Sequence, residues 1–150
     1  MAESIALAAD HAGASLKDYL ADLLRNKGYS VKDLGTDGAE SVDYPDYASA
    51  LAEGISRGRW NRGILVCGTG IGMSIRANRY PGVRAANCND LYMVRLARQH
   101  NDANVLTLGA RIVAAALAEE ITELFLSTEF SGGRHARRVE IGRASCRERV

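Results

Sequence analysis

The sequence predicts a doubly wound α/β domain, a Rossmann-like three-layer sandwich around a five-stranded, mostly parallel sheet. Three observations lead there. Short apolar runs suited to buried parallel strands alternate with segments of helical period. Glycine or proline closes several of the helical segments, as at Gly28, Gly58 and Pro81-Gly82. No internal repeat, low-complexity tract or linker breaks the alternation, so one domain is expected over residues 1–140.

Ile5-Ala6-Leu7-Ala8-Ala9 is the first strand, a run with no polar residue. Residues 14–27 form a helix with Leu16, Tyr19, Leu20, Leu23 and Leu24 on one face. Residues 29–34 alternate like a strand, and 35–45 form a polar loop. A helix follows over 47–56. Gly63-Ile64-Leu65-Val66-Cys67 is the third strand, and its glycine-rich continuation leads into a helix near 74–79. Residues 83–86 make a short strand, 90–99 a helix, 105–108 the fifth strand and 112–126 a strongly apolar helix. The segment after Phe130, with Arg134, His135, Arg137 and Arg138, lies outside the alternation and reads as a basic extension. Residues 141–150 show no apolar periodicity and resemble a translated sequencing adapter. They are taken as a non-native tail, with a natural basic tail as the alternative.

The chain has 150 residues and a net charge of +1, which gives no reason to expect a nucleic-acid partner. No apolar stretch approaches the ~20 residues of a membrane span. The first residues lack the basic start and apolar core of a signal peptide, so a cytoplasmic location is expected. Three cysteines (Cys67, Cys88, Cys146) without C-x-x-C pairing argue against a disulfide framework or a zinc site, and the three histidines are not spaced as ligands. No metal and no cofactor are expected.

The chemistry concentrates in Cys67-Gly68-Thr69-Gly70-Ile71-Gly72. Glycines at alternate positions let backbone N–H groups approach an anion, and a helix N-terminus adds partial positive charge. A cysteine in that field is a candidate base or nucleophile; the bland reading is a small apolar residue ending a buried strand. Known glycine loops fit poorly, because Met73 stands where the Walker lysine, the third dinucleotide glycine or the phosphatase arginine is required. Asp10 and His11 follow the first strand, where they could equally make a turn. His100 could be a helix C-terminal cation. Arg134 and Arg138 could be a solvated charge run, yet at i, i+4 they share one face if helical.

Five stretches in order, Asp10-His11-Ala12-Gly13, Asp43-Tyr44-Pro45, the Cys67 loop, Arg98-Gln99-His100-Asn101-Asp102 and Gly132-Gly133-Arg134-His135, resemble the ribose-5-phosphate isomerase type B family, which includes galactose-6-phosphate isomerase subunits. The resemblance spans about Ile5 to Glu140. It implies an aldose–ketose isomerase that moves a proton between C1 and C2 through an enediolate. By that resemblance Cys67 is the base. Thr69 and the N–H groups of Gly68, Gly70, Ile71 and Gly72 hold the oxyanion. His100 opens the furanose ring and Asp10 orients a sugar oxygen. His11, Arg134 and Arg138 hold the phosphate, while Asn101 and Arg111 complete the site. Other family members use a glutamate near the position of Ser74, so this chain resembles the cysteine-using branch. The resemblance also implies a homodimer with shared sites, or a tetramer. The family ends in a helix that crosses the dimer, expected here to be cut after Glu140. A six-carbon sugar phosphate (allose or galactose 6-phosphate) is the alternative substrate, and a non-catalytic sugar-phosphate-binding module the rival class.

Overall fold

The computed structural model describes residues 3–148, and the side chains of residues 3–143. Five strands, β1 (Ser4–Ala9), β2 (Ser30–Asp33), β3 (Arg62–Cys67), β4 (Ala85–Asn87) and β5 (Val105–Gly109), form one sheet in the order β2-β1-β3-β5-β4. The expectation of a mostly parallel sheet is tightened, because every strand pair is parallel. The cause is connectivity: each strand is followed by a helix that returns the chain to the same sheet edge. The helices are α1 (Ala14–Asn26), α2 (Tyr44–Ser56), α3 (Ile71–Ala77), α4 (Leu91–Asn101), α5 (Ala115–Ser127) and α6 (Arg134–Glu148).

Side chains alternate across the sheet and build two cores. Ile5, Leu7, Ile64, Val66, Leu106 and Leu108 pack with α1, α4 and α5, through residues such as Leu20, Val94 and Phe125. Ala6, Ala8, Leu65 and Cys67 face α2 and α3, with Leu51 and Met73 against them. Cys67 is therefore on the α2/α3 side with Leu65, opposite the face of Ile64 and Val66.

Some boundaries differ from expectation for local reasons. Helix α2 starts at Tyr44, because Pro45 is favourable in a first turn, where its missing N–H is no loss. Helix α3 starts at Ile71 rather than near Ser74, since Gly70 turns the chain with φ of 85°. Helix α5 starts only at Ala115, after a turn in which Ile112 and Val113 donate to the Gly109 carbonyl. The basic extension is helical and packs on α4. Its backbone continues through the expected tail as far as Glu148; residues 149 and 150 and the side chain of Cys146 lie outside the described residues.

Among the described charged groups Lys17 is the most deeply buried. Lys17, 1% exposed, places its ammonium 2.7 Å from Asp18 and 2.8 Å from Asp33. Asp33 also accepts from the Gly35 N–H at 2.9 Å. Burial works against the Asp33 charge, but the Lys17 ammonium and the Gly35 amide outweigh it and hold the carboxyl below its usual range. A depressed carboxyl contributes stability above its unfolded value and loses it as pH falls through the folded one. Lys17→Met should therefore cost about 2–3 kcal/mol at pH 7, less than a fully buried pair because Asp33 is partly exposed. Denaturant titration at pH 7 and pH 3 checks this: the gap between variant and parent should narrow in acid.

Candidate active site

The carboxyl edge of the sheet collects one group of the expected residues. Asp10 follows β1, and its N–H donates to the Val66 carbonyl at 3.2 Å, so it lies beside the end of β3. Its Oδ1 accepts from the Ala12 and Gly13 N–H groups at 3.0 and 3.1 Å, which is the turn role and leaves the second oxygen free of that turn. His11 is exposed, and its Nδ1 accepts from the Val42 N–H at 3.2 Å, tying the polar loop to the site. Cys67 pairs in register with Gly109 of β5. After β5, the Arg111 guanidinium lies 3.4 Å from where a Cβ on Gly68 would stand, so it covers the start of the glycine loop.

Two glycines make the loop possible. A Cβ on Gly109 would stand 2.7 Å from the Thr69 backbone. One on Gly70 would stand 2.6 Å from Asn87 Oδ1 and 2.9 Å from the Leu108 backbone, in a left-handed conformation that disfavours side chains. The turn so formed aims the Gly70 N–H at Cys67 Sγ, 3.1 Å away. Negative charge on sulfur thus has a backbone donor in place. The Ile71 N–H donates to Thr69 Oγ1 at 3.2 Å, which leaves the Thr69 hydroxyl hydrogen for another acceptor. Of the N–H groups expected to hold an oxyanion, those of Gly70 and Ile71 are engaged within the loop.

The other expected residues are elsewhere. His100 and Asn101 end α4, and Arg134 and Arg138 begin α6, all at the amino edge of the sheet. The five residues of β5 separate the two edges by roughly 16 Å. One chain therefore does not bring His100, Asn101, Arg134 and Arg138 to Cys67. Helices α4 and α6 are strapped together: Arg98 Nε donates to the Thr128 carbonyl and the Ser131 N–H to the Gln99 carbonyl, both at 3.0 Å. The same Arg98 donates to Asp102 at 2.9 Å and to the Ala103 carbonyl at 2.7 Å. Across the strap, His100 stacks on His135 with ring centroids 4.1 Å apart and planes 12° from parallel.

Sequence reasoning assigned no role to Tyr44, Asn87, Arg98 or His135. Tyr44 covers the loop, its ring atoms 2.5 and 2.6 Å from where a Gly72 Cβ would be. Asn87 presents a buried Oδ1 without a hydrogen-bond partner beneath Gly70. Tyr44 and Arg98 stood in stretches that were singled out, but only the tertiary contacts show what they do. Among the described residues no cluster of three or more His, Cys, Asp or Glu could hold a metal ion.

A five-stranded parallel sheet with a cysteine and a glycine-rich loop at the carboxyl end of its central strand defines a Rossmann-like α/β protein. The chain belongs to the Ribose/Galactose Isomerase family, whose model matches residues 5–141. It is 45% identical over 138 residues to the ribose-5-phosphate isomerase B of Escherichia coli K12, covering 92% of this chain and 93% of that one. It is 48% identical over 138 residues to the D-erythrulose-4-phosphate isomerase of Pectobacterium atrosepticum, covering 91% of each. The solved ribose-5-phosphate isomerase B of Clostridium thermocellum superposes with a TM-score of 0.96 at 48% identity, covering 98% and 99% of the two chains. The protein is an isomerase with the fold of that family.

The two described cysteines differ in kind. Burial, with Asp90 adding to it, pushes the Cys88 thiol up to about 11. It carries no thiolate at neutral pH and packs as a small apolar residue. Iodoacetamide at pH 7 should therefore label Cys67 and leave Cys88 unmodified in the folded protein, as peptide mass mapping would read. Equal labelling would remove the distinction.

Proposed function

We propose that the protein interconverts ribose 5-phosphate and ribulose 5-phosphate, acting as a homodimer in which each site draws on both chains. The observation that carries the reading is the Gly70 amide on Cys67 Sγ beneath the glycine loop, in a chain this similar to a ribose-5-phosphate isomerase B. A cytoplasmic location without metal or cofactor is part of the same proposal, and rests on the likeness to metabolic enzymes.

In the forward direction Cys67, as thiolate, takes the C2 proton of the open-chain aldose. The electron pair moves into the C1–C2 bond and charge collects on O1. The Thr69 hydroxyl and the N–H groups of Gly68 and Gly72 stabilise that oxyanion, with Arg111 beside them. A proton passes from O2 to O1, and Cys67 returns its proton to C1 to give the ketose. Asp10, through its second carboxylate oxygen, orients a sugar hydroxyl. His100 opens the furanose before this step. Arg134 and Arg138, one helical turn apart, form with His11 a clamp for the phosphate, and Asn101 adds a polar contact.

The two edges of the sheet make this division physical. His100, Asn101, Arg134 and Arg138 of one chain serve Cys67 of the other. Exposed Ile71, Ile75, Tyr92, Met93 and Ile112 surround the carboxyl edge and support a second copy covering it. The helical backbone after Glu140 supports a longer C-terminal helix than the resemblance alone implied.

Cys67→Ala should lower turnover of ribose 5-phosphate by roughly a thousandfold or more while leaving the circular dichroism spectrum unchanged; a fully active variant would remove the base. The same assay run on allose and galactose 6-phosphates decides between five and six carbons, and phosphate binding without proton exchange would leave only a binding module. Sharing has its own test. Subunits of Cys67→Ser and His100→Asn, each inactive alone, should recover about a quarter of parental activity when allowed to exchange, because half the dimers then hold one intact site. A site contained in one chain would recover nothing.

A further inference from the structure

We propose that His135 is a positioning residue for His100, its ring serving as the platform that holds the ring-opening imidazole in place. The inference rests on the reading of His100 given above and deepens it. The two rings belong to different elements, the last turn of α4 and the first turn of α6, so helical spacing alone does not bring them together. They nevertheless meet face to face, with centroids 4.1 Å apart and planes within 12°. That contact stands on the strap described above, in which Arg98 and the Ser131 amide hold the α5–α6 connection along the end of α4.

A free imidazole at a helix end turns about two side-chain bonds. An acid that must meet one ring oxygen of a furanose gains from having that freedom removed beforehand. Charge on the platform itself is disfavoured. Burial first, then the charges of His100, Arg134 and Arg138, depress the proton affinity of His135. Arg98 and Asp102, paired with each other at 2.9 Å, and Arg84, whose Nε donates to the Asn101 carbonyl at 2.6 Å, are other charged groups beside this end of α4. A ring whose own charge is disfavoured in this way is suited to stack flat against a neighbouring imidazole.

The stack predicts a pattern that loss of fold would not give. In the full-length enzyme, His135→Ala should slow conversion of ribose 5-phosphate about tenfold or more. It should leave exchange of the ribulose 5-phosphate C1 proton with deuterated water within about twofold, because that exchange uses Cys67 and no ring opening. His135→Phe, which keeps a flat ring and cannot titrate, should restore most of the lost rate. Three results would overturn the inference: His135→Ala as active as the parent, His135→Phe as slow as His135→Ala, or proton exchange falling in step with turnover. Failure of the parent protein itself to turn over ribose 5-phosphate would instead overturn the underlying assignment, and the inference with it.

Discussion

Two stretches of backbone meet at the carboxyl end of β3 with no room for a side chain on the glycines between them. Gly109 lies against the Thr69 backbone, and Gly70 lies against Leu108 and Asn87. This close approach depends on the parallel register that sets Cys67 opposite Gly109. It forces the chain into a left-handed turn at Gly70, and from that turn follow both the amide on the cysteine sulfur and the immediate start of α3. A Cβ at either glycine would push the loop off the sheet and move the donor away from Sγ. The chemistry thus hangs on steric exclusion more than on any single attractive contact. Alternating side-chain direction supplies the rest, because it turns Cys67 toward α2 and α3 while Val66 fills the opposite core.

The polarity of the sheet imposes the second constraint. Every strand runs the same way, so loops after strands gather at one edge and helix ends gather at the other. Asp10, Cys67 and Arg111 follow strands; His100, Asn101 and Arg134 follow or begin helices at the far edge. No small adjustment of a rigid sheet closes a gap of about 16 Å. The proposed mechanism therefore needs two copies set edge to edge to bring its base and its distant acid together. The apolar side chains exposed around the cysteine loop fit that demand, since isolated in water they would be a liability.

How much of this was legible in the sequence varies with the range of the interaction involved. β1, β3 and β5 were legible because buried parallel strands are written as apolar runs, and β2 because it alternates; all five strands stand within two residues of expectation. The glycine loop was legible because backbone approach to an anion needs glycine locally. Helix starts were less so. Pro45 reads as a loop residue until it is seen in a first turn, and Gly70 advances α3 by acting through φ, which residue type alone does not reveal. The basic segment showed arginines at i, i+4 but not the helix that carries them. Opposite edges, the Tyr44 ring over Gly72 and the His100–His135 stack were not legible, since each joins residues distant in the chain through the packing of whole elements.

Arg98 shows how the end of α4 and the connection into α6 are held together. It is 5% exposed, a costly place for a guanidinium, and the cost is offset only because its donors meet the Thr128 and Ala103 carbonyls and the Asp102 carboxylate. Each partner belongs to a different necessity. Asp102 ends α4 in a left-handed conformation, Ala103 leads into β5, and Thr128 ends α5 on the way to α6. A lysine could satisfy one of these acceptors well but not three in a fixed fan. The clamp therefore couples the end of α4 to the start of α6 through a planar, permanently charged group. His100, His135 and the two arginines of α6 keep their relation because of it.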